Sequence, residues 1–156
     1  MDLFVAFKYL HVVTMFFAVA LAISGELVVR RVASSRDVTA IRTAVERTKP
    51  LSGPLASGLF LAGLAFGIIA ALAGQIDLLR PWLLLSYLAF AAAFAIGLTI
   101  TDPWVERLER ASLAADLGEG ESLDAVIDDP RARIGTWALM ALIAILVFLM
   151  VVKPMG

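Results

Sequence analysis

Residues 50–76, PLSGPLASGLFLAGLAFGIIAALAGQI, contain no Asp, Glu, Lys or Arg. A charge-free apolar stretch of roughly 18 or more residues is long enough to cross the hydrocarbon core of a bilayer as a helix. Inside lipid the backbone finds no water, so its N–H and C=O groups must bond within the segment, as they do in a helix. The same reading applies three more times. Residues 9–25 carry no charged side chain and have apolar flanks that extend the span to about 3–29, and residues 81–101 and 134–152 are also charge-free. A transmembrane barrel would show short alternating segments instead, and the chain has none. The expected fold is all-α: one polytopic membrane domain over 1–156, a bundle of four transmembrane helices at about 3–29, 51–75, 81–101 and 134–152. Loops at 30–50 and 102–133 join them and carry short interfacial helices.

Composition agrees. Hydrophobic residues make up 61% of the chain and charged residues 17%, with a mean hydropathy of +0.91. Soluble domains average about half apolar and about a quarter charged. There are no cysteines, which excludes disulfides, thiolate metal sites and cysteine nucleophiles. The single histidine excludes a multi-histidine cage within one chain. No nucleophilic triad, P-loop, dinucleotide fingerprint or metalloprotease motif is present, and nothing resembles a nucleic-acid site. No catalytic residue is assigned, and the balance leans away from an enzyme. The opening Met-Asp-Leu-Phe lacks a basic n-region and its apolar run is too long for a signal peptide, so the first span is expected to be retained.

Orientation is read from Lys and Arg in the loops. Arg30, Arg31, Arg36, Arg42, Arg47 and Lys49 follow the first span; Arg107, Arg110, Arg131 and Arg133 precede the last. Only Lys8, Arg80 and Lys153 lie on the other side. The ten belong inside, which puts both termini and the Gln75–Arg80 turn outside a bacterial inner membrane. Trp82, Trp104 and Trp137 stand at span ends as headgroup anchors, and Lys153-Pro154 closes the last helix with the lysine turned outward.

The cytoplasmic loops carry helical signals. Ser34 to Asp37 has a capping-box pattern, and Val38, Ile41 and Val45 recur at helical spacing, so a surface helix continues or restarts there. Asp102-Pro103-Trp104 predicts a helix start with proline at the first position. Trp104, Leu108 and Ala111 would then face the bilayer, with Glu106, Arg107, Glu109 and Arg110 in water. Gly118–Asp129, acidic and glycine-containing, is expected to be a turn. These helices either join the spans or form a partner-docking surface.

His11 is the titratable group well inside a span, roughly 12 Å from the helix start at about 1.5 Å per residue. Ionisable groups at that depth point to function. Three readings stand: a hydrogen bond to a neighbouring helix, ligation of haem or a metal, and proton transfer. Ala18, Ala22 and Gly25 share its face at intervals of three and four. Gly63-x-x-x-Gly67 and Ala70-x-x-x-Gly74 repeat the small-residue theme, which serves close helix packing. Glu26, four residues before Arg30, fits an i,i+4 ion pair, with a proton relay as the alternative.

Lys8-Tyr9-Leu10-His11 before a small-residue-rich helix, together with the closing Lys153-Pro154, resembles a family of bacterial integral membrane proteins of unassigned function. That family is distantly similar to the copper-resistance CopD membrane domain and to the HemJ-type protoporphyrinogen IX oxidase. The resemblance implies a haem-binding or redox-linked membrane protein with His11 as axial ligand of haem b. Ala18 and Ala22 would give the macrocycle room, and Trp82 and Tyr87 from the third span would approach the same layer. One histidine per chain implies a five-coordinate haem or one shared between two subunits. The rival reading is a non-catalytic accessory or assembly subunit of a larger membrane complex; a small transporter ranks third. The expected partners are the lipid bilayer and other subunits, either copies of this chain or members of a complex.

Overall fold

The computed structural model describes residues 2–115 and 122–154. The chain forms four long apolar helical rods, Leu3–Ala33, Val38–Ala73, Pro81–Ala114 and Leu123–Val152, with no strand among the described residues. It is a multi-pass membrane protein built as an all-α bundle. At about 1.5 Å per residue the rods exceed the ~30 Å of hydrocarbon, so each projects beyond the bilayer.

The first rod is α1 (Leu3–Ala33), capped by Asp2, whose carboxylate accepts from the Phe4 amide. The second combines α2 (Val38–Pro50), a π-helical turn at Leu51–Leu55 and α3 (Ala56–Ala73). The third combines α4 (Pro81–Ile96), a π-helical turn at Gly97–Thr101 and α5 (Asp102–Ala114). The short α6 (Leu123–Ile127) leads into α7 (Pro130–Val152). Both π turns adjoin a proline, Pro54 within the first and Pro103 just after the second. Proline lacks the N–H that would bond four residues back and crowds that carbonyl; a widened turn absorbs the conflict without breaking the rod. The expected helix start at Asp102-Pro103 is therefore a continuation. Ser34 also differs from its expected role: it closes α1, and Asp37 alone caps α2, accepting from the Thr39 and Ala40 amides at 2.9 and 3.1 Å.

In the membrane-spanning part, α1 packs along α3 and α4 along α7. Small residues set the first contact. A side chain added at Gly63 would lie 2.6 Å from the Met15 sulfur, one at Gly67 2.8 Å from His11 Nδ1, and one at Gly74 2.7 Å from the Phe4 ring. The glycine face thus meets a neighbouring helix, as the spacing implied. Gly135 of α7 receives Ile100 in the same manner.

Beyond the bilayer the rod ends gather into a cap. Val29, Ala33, Ile41, Val45, Trp104, Leu108, Ala111, Val126 and Ala132 form one buried cluster. Trp104, 2% exposed, donates from Nε1 to the Val126 carbonyl at 2.9 Å, and the Arg30 guanidinium lies 4.3 Å over its ring. Trp104, Leu108 and Ala111 therefore turn inward, not toward the bilayer. The expectation failed because an apolar helix stripe takes whichever apolar partner is nearest, and α2 and α6 supply one. Ion pairs ring the cluster: Lys49–Glu109 at 2.5 Å, Arg36–Asp128 at 2.9 Å with Asp124 on the same guanidinium, and Arg107–Asp129 at 2.7 Å. The hydrogen bond from Arg107 holds the Asp129 carboxyl below the usual carboxylate range. Of the segment expected as a turn, 118–121 lies outside the described residues, and Leu123–Ile127 is helical with Val126 fully buried.

Candidate functional site

Two places combine polar chemistry with the membrane-spanning helices. The first is His11, in the third turn of α1. Its Nδ1 lies 2.7 Å from the Gly63 carbonyl of α3. Since a carbonyl only accepts, Nδ1 carries the proton and donates. Gly67 leaves the gap that the imidazole ring occupies against α3. Gly63 O can accept because its own helix places it at the α1 contact, opposite Met15 and one turn from His11. Nε2 has no hydrogen-bond partner among the described residues, and it is not a fully enclosed atom. The side chain therefore pins α1 to α3 with one nitrogen and presents the other at the bundle surface.

The other residues expected around a macrocycle are dispersed. Ala18 is 0% exposed, filled in by helix packing. Ala22 lines a different space nearer the cap. Trp82 and Tyr87 stand on α4, which packs along α7 and belongs to the opposite helix pair from His11. Trp82 is buried beneath Lys153, whose ammonium sits 5.6 Å over the indole ring; Tyr87 is half-buried farther along the same helix. Trp137 is 68% exposed, as an anchor residue would be. His11 lines neither the cavity between the helix pairs nor the one beside the cap at Arg30, Arg36 and Trp104.

The second place is a cavity of about 90 Å³ between the two helix pairs, toward the cap. Phe60, Phe90 and Phe94 line it together with Leu139, Ile143 and Leu146. The Phe90 and Phe94 rings stack at 6.0 Å and 16°, and Phe60 meets Phe90 edge-on at 6.1 Å. Glu26, Ser52, Thr101 and Asp102 form its polar end, and both π turns contribute to the wall. Glu26 is 8% exposed. Its Oε1 accepts from Arg30 Nε at 2.7 Å and from Thr136 Oγ1 at 2.5 Å. Arg30 also donates to the Ala132 carbonyl at 2.6 Å. The i,i+4 ion pair read from the sequence is present, and it does more than steady α1. It ties α1 to α7, so that one buried charge pair joins the two halves of the bundle.

Asp102 and Thr136 escaped the sequence reading. Asp102 was read as a helix-start residue outside the spans, and the long-range pairing of Thr136 with Glu26 leaves no local pattern. The i,i+4 repeat of Phe90 and Phe94 was the one local signal of the aromatic wall. Comparison of the chain with protein-family models, with curated proteins and with solved structures finds no match.

Proposed function

We propose that the chain is a redox-linked subunit of a membrane assembly, in which His11 Nε2 ligates a haem iron at the boundary with a second subunit. One observation carries this reading: His11 gives Nδ1–H to the Gly63 carbonyl and keeps Nε2 open. That hydrogen bond fixes the tautomer and puts the lone pair on Nε2, which is how metal-binding imidazoles are held. An acceptor left unpaired in hydrocarbon is unfavourable by about 1–3 kcal/mol, so Nε2 calls for a partner from outside the chain. Within the chain His11 bonds a helix carbonyl and lines neither described cavity, which counts against a haem held by one chain, so the haem reading requires a site shared between subunits. A haem bound there would supply a one-electron couple. The Gly63 carbonyl would orient the ligand ring, and Gly67 would let that ring lie flat against α3. The resemblance of Lys8-Tyr9-Leu10-His11 to a membrane-protein family distantly similar to HemJ-type proteins agrees with the same assignment.

The test is a visible absorption spectrum, oxidised and dithionite-reduced, of detergent-purified protein made with adequate haem. A Soret band lost or strongly shifted in His11→Ala is expected; a colourless parent protein refutes haem. The same open nitrogen favours a second reading, an accessory subunit whose Nε2 accepts from a donor on a neighbouring subunit. That reading predicts a colourless protein, and a His11→Ala variant that is about 0.5–1.5 kcal/mol less stable within its assembly.

The ten-to-three split of basic residues supports a bacterial inner membrane with the cap inside and both termini outside. A reporter fused after Gly156 should then be active only outside the cytoplasm, and cytoplasmic activity would refute that orientation.

A further inference from the structure

We infer that the cavity between the helix pairs is a binding site for a small organic cation: its ammonium sits between Asp102 and Glu26 and its apolar body lies among Phe60, Phe90 and Phe94. The chemistry of the polar end points this way. Glu26 is nine-tenths buried, and both of its hydrogen bonds fall on Oε1, so Oε2 has no partner among the described residues. The Asp102 carboxylate has neither an ion-pair nor a hydrogen-bond partner among the described residues, and the charged groups that act on it are the carboxylates of Glu106 and Glu26. Three of the hydroxyl protons nearby are engaged, Ser52 donating to the Thr48 carbonyl, Thr101 to that of Gly97 and Thr136 to Glu26, and Ser57 is the lining hydroxyl without an acceptor among the described residues. What remains toward the cavity is mostly acceptor.

The charge balance agrees. Glu26 and Arg30 cancel each other, which leaves the Asp102 carboxylate uncompensated on the cavity wall. Asp102 is half-buried, and partial removal of an unpaired carboxylate from water is unfavourable, so a site of this kind favours an entering positive charge. The rest of the lining decides which kind of cation. An alkali or alkaline-earth ion needs about six or more converging oxygens, whereas this wall is mainly hydrocarbon, and no group of three or more acidic, His or Cys side chains gathers among the described residues. Aromatic faces instead attract a poorly hydrated organic cation through their quadrupoles. At about 90 Å³ the cavity admits a small amine or quaternary ammonium group. The site is separate from His11 and stands whether or not haem binds there.

The probe is tetramethylammonium, titrated calorimetrically into the full chain in neutral detergent. Saturable binding is expected, weakened at least ten-fold in Asp102→Asn. That substitution removes no hydrogen bond of the fold, and a thermal melt confirms that the variant is folded. Phe90→Leu keeps the wall apolar and should weaken binding several-fold by removing the aromatic face; it serves as the second readout if Asp102→Asn does not fold. The neutral isostere neopentane should not displace the probe. No saturable binding, unchanged affinity in Asp102→Asn, or equal displacement by neopentane would each overturn the inference. So would displacement by sodium chloride but not by N-methylglucamine chloride at equal ionic strength, which would mark an inorganic cation site.

Discussion

The α1–α3 contact within the spans and the cap are made from the same rods and pack by different rules. The largest fully buried side chains, Trp104, Ile41, Leu108 and Val45, gather in the cap with ion pairs around them. In the α1–α3 contact the buried apolar residues are small, among them Ala18, Ala56, Gly63 and Ala70, while Phe16 and Phe17 are exposed; the larger Trp82, Leu83, Ile143 and Leu149 are buried on α4 and α7. In water, burying a large apolar side chain is itself the driving force. In lipid that force is absent, because the tails are as apolar as leucine, and helices associate through close backbone approach and a few polar contacts. The α1–α3 contact shows the consequence. Its glycines admit Met15 and His11, and its polar contact is a single imidazole-to-carbonyl bond.

If the contrast is sound, substitutions should act by different mechanisms in the two regions. Trp104→Ala should have the largest effect, about 3–5 kcal/mol, from a cavity in the cap and the loss of the Arg30 contact. Limited proteolysis should then cut in 38–50 or 102–114 while the helical circular dichroism of the spans persists. Equal loss of both signals would show that cap and spans form one cooperative unit. Thr136→Val keeps the shape but removes the donor to Glu26. The loss should be about 1.5–3 kcal/mol, as for a hydrogen bond to a charged group, read in urea or thermal melts in detergent. A neutral result would mean that Arg30 alone closes the link between α1 and α7.

Gly67→Leu should cost about 1–3 kcal/mol by overpacking, and more than Gly63→Leu. The side chain facing Gly63 is the flexible Met15, whereas His11 facing Gly67 is pinned by its bond to α3. Equal penalties would mean that His11 yields as easily as Met15. The smallest effect is a pH dependence confined to the cap. The hydrogen bond from Arg107 lowers the folded-state affinity of the Asp129 carboxylate for a proton. Its stabilisation is therefore present above the ordinary carboxylate range and is lost as pH falls through the lower folded value. Lowering the pH from 6 to 3 should reduce the melting temperature of the parent more than that of Asp129→Asn. Identical pH profiles would mean that solvent screens the pair completely.

Much of this was legible in the residues themselves. Charge-free apolar runs fixed the number of crossings, because hydrocarbon imposes one requirement on any backbone within it. The Gly63/Gly67 spacing marked a packing face, and Glu26 with Arg30 marked a pair, because both are properties of a single helix. Which surface each stripe would find was not legible. Trp104, Leu108 and Ala111 form an amphipathic face that suits a bilayer surface or a protein core equally well, and the nearness of α2 and α6 decided between them. Pro103 carried a start signal that the π turn before it absorbed. Trp82 and Tyr87 were expected at the depth of His11, but sequence gives depth along a helix and not the neighbour it meets; the pairing of α4 with α7 separated them from α1. The bond between Glu26 and Thr136 joins residues far apart in the chain. Contacts of that kind come into being only when four helices settle into one arrangement, so the cavity and the link between the helix pairs belong to the tertiary structure alone.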